Sequence, residues 1–187
     1  MKTLYYTAAS LDGFIADEDG ALDWLFQFGE PEEGYFEHFL STVGAIAMGA
    51  ATYEWILEHH IDPGADRPQP WPYAQPTWVF TSRKLPKASG ADVRFVRGDV
   101  GPVHREMLKK AGAKNIWIVG GGDLAGQFHD KGLLDGVIIS VAAVVLGGGA
   151  PLLPRNITQP PLRLVSAKTF RNGFVDLHYE VPKTHEA

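Results

Sequence analysis

The chain has 187 residues, 45% of them hydrophobic and 21% charged, enough for one folded domain with a substantial core and unlike a disordered chain. A net charge of -5 argues against a broad electrostatic grip on nucleic acid, and no apolar run is long enough to span a bilayer. The lack of cysteine excludes disulfides, thiolate nucleophiles and cysteine metal sites. The start MKTLYYTAAS is unlike a secretory signal, so the expected location is the cytoplasm.

In chain order, residues 2–9 read as a first strand. Residues 10–24, rich in Asp and Gly, read as a long loop, of a size that in a compact domain is either functional or disordered. Residues 32–42 carry Tyr35, Phe36, Phe39 and Leu40 at helical spacing. A short buried strand at 45–48 exits through Gly49 into a helix at 51–60, with Tyr53, Ile56 and Leu57 on one face. The stretch 62–76 holds Pro63, Pro68, Pro70, Pro72 and Pro76 and is too proline-rich for helix or central strand. Strands follow at 77–81 and 93–96, then a helix at 103–111 with Met107 and Leu108 facing in. A strand at 115–119 leads through glycines into a helix at 123–131, and 136–146 is a long apolar strand followed by a second glycine triplet at 147–149. Residues 162–170 and 174–181 form a closing hairpin around Arg171-Asn172-Gly173, since Asn-Gly supports a tight turn, and the tail from Lys183 is polar and frayed. Alternating strands and helices followed by strand after strand predict an α/β fold. Its sheet is mostly parallel with helices on both faces, an antiparallel hairpin closes it, and one domain covers 1–187.

Three strand exits can face a phosphate. At Val119-Gly120-Gly121-Gly122 the missing side chains let backbone N–H groups approach a ligand, and the following helix presents its positive end. Gly120-x-Gly122-x-x-Ala125 matches the dinucleotide fingerprint, but it comes late in the chain and lacks the acidic residue that holds a ribose. A Rossmann dehydrogenase is therefore a minor alternative, and a plain tight turn is the structural one. Gly49 and Thr52 open another helix, where capping alone is the commoner use. Ser82 and Arg83 end a third strand with a hydroxyl and a cation that suit a terminal phosphate, or simply a solvated loop. Asp12, before Gly13, either orients a substrate or makes an Asx turn. The seven histidines show no metal-ligand spacing, and no GxSxG nucleophile motif is present.

Taken in order, SLDGFIA (10–16), Leu22-Asp23-Trp24, MGAATYE (48–54), FTSRKLP (80–86), IWIVGGGDLAGQF (116–128) and VVLGGGAPLLP (144–154) resemble the dihydrofolate reductase-like superfamily. The chain is most similar to the bacterial branch that includes the C-terminal reductase domain of the bifunctional riboflavin-biosynthesis deaminase/reductase, from Leu4 to about Tyr179. The resemblance implies a mixed sheet of about eight strands and NADPH as hydride donor. By matching position it implies that Ala8, Ile15 and Ala16 line a nicotinamide pocket. Gly49 and Thr52 would approach the pyrophosphate with Val119, Gly120, Gly121, Gly122, Asp123 and Leu124, and Ser82 and Arg83 would hold the 2′-phosphate. Two departures stand out. Ala50 and Ala51 occupy positions where the family commonly has basic residues, and the carboxylate that true dihydrofolate reductases carry on the first helix has only Glu33 and Glu37 as candidates, each equally readable as an exposed helix carboxylate.

The expected activity is an NADPH-dependent reductase acting on a C=N or C=O of a small heterocycle, dihydrofolate-like or a riboflavin-precursor pyrimidine. Asp12, Trp24, Phe36 and Glu37 would form the substrate pocket. Water would supply the proton, with Asp12 or Glu33 as candidate donors. The alternative is a non-catalytic nucleotide- or small-ligand-binding protein on the same fold, which Ala50 and Ala51 favour. The apolar run 137–146 suits either a homodimer contact or burial inside the protomer.

Overall fold

The computed structural model describes residues 1–29, 32–61 and 69–183. Its strands are β1 (Thr3–Ser10), β2 (Phe14–Ala16), β3 (Val43–Gly49), β4 (Thr77–Phe80), β5 (Val93–Val96), β6 (Asn115–Gly120), β7 (Gly136–Ala142), β8 (Ala150–Pro151), β9 (Arg163–Thr169) and β10 (Val175–Glu180). Its α-helices are α1 (Asp23–Phe26), α2 (Tyr35–Ser41), α3 (Ala50–Ile56), α4 (Val100–Ala111) and α5 (Gly122–Asp130). Eight strands form one sheet in the order β5-β4-β3-β6-β1-β7-β10-β9. All pairs from β5 to β7 are parallel, and β10 and β9 return antiparallel. This is the α/β architecture that the strand–helix alternation predicts.

The central strands read as continuous apolar runs because both their faces are covered. On one face Tyr5, Ala45, Ile116 and Ile118 pack against Val103 and Met107 of α4 and Leu124 and Phe128 of α5. On the other, Ile46, Met48 and Trp117 pack against Phe36 and Phe39 of α2 and Tyr53 and Ile56 of α3. Of the apolar run, Val137 and Ala142 are buried in β7, Ile138, Ile139 and Val141 are partly covered, and Val145 is exposed.

Several boundaries differ from expectation for identifiable reasons. Helix α4 starts at Val100 because Asp99 caps it, its carboxylate accepting the Gly101 N–H at 2.7 Å, and Pro102 is tolerated in the first turn. The long loop 10–24 contains β2, which pairs with β8 just past the second glycine triplet, and ends in the short α1. The strand expected to reach residue 146 stops at Ala142. The helix at 51–60 becomes a π-helical turn over Leu57–Ile61. In the closing hairpin only Gly173 has positive φ, 92°, and the Phe170 N–H donates to the Phe174 carbonyl at 2.9 Å. The connection is thus a three-residue loop rather than a two-residue Asn-Gly turn, which needs both residues at positive φ. Of the proline-rich stretch, residues 69–76 have no regular structure and 62–68 lie outside the described residues, as do 184–187 of the tail.

Candidate functional site

The ladder between β1 and β6 is short, running from Thr3–Ile116 to Tyr5–Ile118, whereas β1 keeps β7 as far as Ser10. The sheet therefore opens at the carboxyl ends of β1 and β6, the place where open α/β sheets take ligands. Two cavities meet there. Thr7 lines one, and its neighbours Tyr6 and Ala8 line the other, as alternation along a strand requires.

The first is a groove of about 500 Å³. Gly49, Ala51 and Thr52 of the β3–α3 exit and Val119, Gly120, Gly121, Gly122 and Asp123 of the β6–α5 exit form one side. Ile15 and Ala16 of β2, Leu22, Trp55 of α3 and Pro151 of β8 also line the groove. The three glycines of the opening triplet serve different ends. A Cβ at Gly122 would run into the carbonyl oxygens of Pro151 and Leu152, so packing of backbone on backbone requires that glycine. At Gly120 it would lie 2.8 Å from Thr52 Oγ1. At Gly121 and Gly49 it would meet nothing closer than 3.9 and 3.7 Å, so these two leave space at the groove. No side chain caps the start of α5, which leaves its first amides available at the groove.

Charge around the groove is mixed. Asp123, in the first turn of α5, is held below the usual carboxylate range by hydrogen bonds from Gln127 and Arg155. Arg155 spans Asp123 at 3.1 Å and Asp130 at 2.9 Å. Ser82 and Arg83 are exposed on the loop after β4 and do not line the groove; the Arg83 guanidinium donates to Glu54 Oε2 on α3 at 2.5 Å. Leu124 is only 6% exposed, and its side chain packs into the core beneath α5 rather than facing the groove.

The residues expected to form the substrate pocket are not brought together. Asp12 lines neither cavity: its carboxylate accepts the N–H groups of Leu146 at 3.1 Å and Gly147 at 2.7 Å. A Ser10 hydrogen bond first, and those amides next, hold it below the usual carboxylate range, and the two amide contacts make it a clamp between two loops. Glu33, on the turn before α2, and Glu37, on α2, are exposed and line neither cavity. Trp24 is half-buried on α1 and also lines neither. Phe36 faces the sheet, edge-on to Trp117 with ring centroids 5.6 Å apart, so its neighbour Tyr35 is the α2 ring that reaches the second cavity. Ala8 lines that second cavity and not the groove.

The second cavity, of about 120 Å³, is lined by Tyr6, Ala8, Gly29, Tyr35, Ser140, Phe170, Asn172, Phe174 and Asp176. A more polar hollow lined by Glu32, Lys168, Thr169 and Arg171 adjoins it through Phe170 and Asn172. Asp176 on β10 is 5% exposed and went unnoticed in the sequence. Ser140 Oγ donates to it at 2.5 Å and the Tyr6 hydroxyl at 3.4 Å. Burial, with the Asp176 charge adding to it, pushes the Tyr6 hydroxyl up to about 12. The Tyr35 hydroxyl is raised by burial and then by the nearby Asp176 carboxylate. Among the described residues no cation pairs with Asp176. Lys168, opposite it on β9, instead reaches Glu32 at 3.1 Å and lies over the rings of Tyr35 and Phe170. Among the described residues no three His, Asp or Glu gather as a metal site, and no helix is long and apolar enough to cross a membrane.

The RibD C-terminal domain family matches residues 2–175. The chain is 37% identical to the uncharacterized protein YwjB of Bacillus subtilis (strain 168) over 180 residues, 95% of this chain and 97% of that one. A solved structure from Shewanella sp. PV-4, assigned by name to riboflavin biosynthesis, matches with a TM-score of 0.78 at 25% identity, covering 98% of this chain and 100% of that one. Dihydrofolate reductase from Enterococcus faecalis, solved with NADP(H), matches with a TM-score of 0.57 at 15% identity over 96% of this chain and 94% of that one. The fold is dihydrofolate reductase-like.

Proposed function

The chain belongs to the RibD C-terminal domain family, and from that premise we propose that it is an NADPH-dependent reductase transferring hydride to a C=N or C=O carbon of a small heterocyclic substrate. The observation that carries this reading is the parting of β1 and β6, which joins a glycine-sided groove to a ring-walled cavity at Thr7 and Ala8. The groove fits a dinucleotide. Gly49 and Gly121 leave room for backbone to approach phosphates, the amides of α5 are uncapped, and Ile15, Val119 and Trp55 offer apolar surface to flat rings. Ile15, Ala16, Gly49, Thr52 and Val119 to Asp123 would hold NADPH there, with Arg83 at the rim for the 2′-phosphate in place of Glu54. When bound, that group supplies the hydride.

The protein's own work is positioning and exclusion of water. Asp12 ties the 10–16 segment to the second glycine triplet, and that segment carries Ile15 and Ala16 over the groove. The rings of Tyr6, Tyr35, Phe170 and Phe174 hold a flat acceptor beside Ala8. Tyr6 Oη and Tyr35 Oη keep their protons, because burial raises both hydroxyls. Solvent supplies the proton that completes reduction.

Fluorescence titration of the purified chain with NADPH and NADH tests this reading. Saturable binding that favours NADPH, followed by NADPH oxidation with a dihydropterin or aminopyrimidine substrate, is the expected result; binding of neither dinucleotide would overturn it. A second reading, ligand binding without turnover, is favoured by the uncharged Ala51 and the acidic Asp123 beside the groove. It predicts NADPH binding with no oxidation on the same panel.

A further inference from the structure

We infer that Asp176 is the substrate anchor of this site, and that the substrate offers it an amidine-like edge, two N–H donors on one planar carbon. The inference deepens the reductase reading and rests on it for the cofactor in the neighbouring groove. Carboxylates are almost never buried without a partner, because losing water costs the charged form heavily. Asp176 is buried, yet its described partners are hydroxyls, which solvate a charge without balancing it. Its cross-strand cation, Lys168, is committed to Glu32.

A second observation points the same way. The side-chain carbonyl oxygen of Asn172 is buried with no partner among the described residues, and Asn172 lines the same cavity. One cavity thus holds a carboxylate served only by hydroxyls and a neutral acceptor with no donor among the described residues. The walls between them are aromatic, which selects a flat ring. A planar N–H fork meets a carboxylate through two parallel hydrogen bonds, the strong geometry for such a pair. A role confined to knitting β7 to β10 needs only the Ser140 bond; it leaves the 3.4 Å Tyr6 contact and the orphaned Asn172 oxygen unexplained.

The test compares benzamidine with benzamide, its neutral isostere, by calorimetry on the full chain. The wild type is expected to bind benzamidine at least about tenfold more tightly, the usual scale for a charge-assisted hydrogen bond. Asp176→Asn, which keeps the shape, is expected to erase that preference. Should that variant fail to fold by circular dichroism, Ser140→Ala decides the matter. It loosens the carboxylate without removing it and is expected to reduce the preference severalfold. Equal affinity for both probes in the wild type, or an unchanged preference in whichever variant folds, overturns the assignment. NADPH titration of the same samples separates the two readings. NADPH binding without a benzamidine preference overturns the anchor alone; the preference without NADPH binding overturns the reductase reading alone.

Discussion

Gly122→Ala and Gly49→Ala separate the two uses of glycine beside the groove. At Gly122 a methyl group would run into the carbonyl oxygens of Pro151 and Leu152 and lie 2.8 Å from the Leu152 carbonyl carbon. These are backbone atoms and cannot swing aside. Pro151 belongs to β8, paired with β2, and the Leu152 carbonyl also accepts the Tyr5 hydroxyl at 2.9 Å. Overpacking against fixed atoms costs up to about 3 kcal/mol. Replacing a helical glycine by alanine returns about 1 kcal/mol. The net of about 2 kcal/mol corresponds to a Tm lower by roughly 4–8 °C for a chain of this size. Gly49 differs. Its φ of -79° and ψ of 167° suit any residue, and a Cβ there would be 3.7 Å from its nearest neighbour, an ordinary contact. Gly49→Ala should therefore melt within about 2 °C of the wild type. It should nonetheless weaken NADPH about tenfold, or ~1.4 kcal/mol, because the methyl occupies the turn where backbone must approach a phosphate. Thermal denaturation and NADPH fluorescence titration on the same preparations read both effects. A Gly122→Ala protein that melts like the wild type, or a Gly49→Ala protein that loses stability and keeps its NADPH affinity, would refute the division.

The remaining predictions concern charge. Arg83→Ala should weaken NADPH at least about tenfold more than NADH, because its guanidinium fork is the cation assigned, beside the Ser82 hydroxyl, to the 2′-phosphate; equal losses in titrations with the two dinucleotides would remove that assignment. Glu54→Gln should tighten NADPH severalfold, since Glu54 occupies the same guanidinium, and an unchanged affinity would show that the pair does not compete with the ligand. Asp12 titrates below its ordinary 3.8 in the folded chain, so its contribution is present above pH 3.8 and is lost as pH falls through the folded value. The Tm gap between wild type and Asp12→Ala should accordingly narrow on acidification, and a constant gap would sink the clamp. His104, whose Nε2 lies 2.8 Å from Thr3 Oγ1, is lowered from 6.5 chiefly by burial. Stability is therefore full above pH 6.5 and falls as pH drops from there toward the folded value. His104→Gln should flatten the Tm profile between pH 7 and 5 without levelling it, because His178 is lowered by burial as well; an unaltered slope would count against His104.

The parts of this molecule that were legible in the sequence are those whose cause is local. An apolar run followed by a helical period already implies a parallel crossover, so a mostly parallel sheet follows from chain order, while its count of about eight strands comes from the family resemblance. A glycine at a strand exit is likewise a local backbone fact, and the turns at Gly49 and at Gly120 to Gly122 do border one groove. Which glycine faces the groove is not local. Gly122 is required by Pro151 and Leu152 on a distant loop. The Asp12-Gly13 pair reads as turn or ligand alike, until the amides 134 and 135 residues further on are seen to claim the carboxylate.

Asp176 was harder still, because one acid within a closing hairpin reads as solvated. Its burial arises from β10 being an inner strand, flanked by β7 and covered on its far side by β9. A signal did exist in Ser140, the lone polar residue of the run 137–146. Antiparallel pairing sets Asp176 directly opposite it, and polar residues facing one another across a sheet interior meet. On the proposed reading, the carboxylate sought on the first helix at Glu33 and Glu37 is delivered from the last strand instead. Aligning sequences along that helix cannot find it, since the requirement is for a charge at one place in the cavity and not at one place in the chain. Burial finds it directly: Asp176 is the buried carboxylate lining the ring-walled cavity, and among the described residues no cation pairs with it.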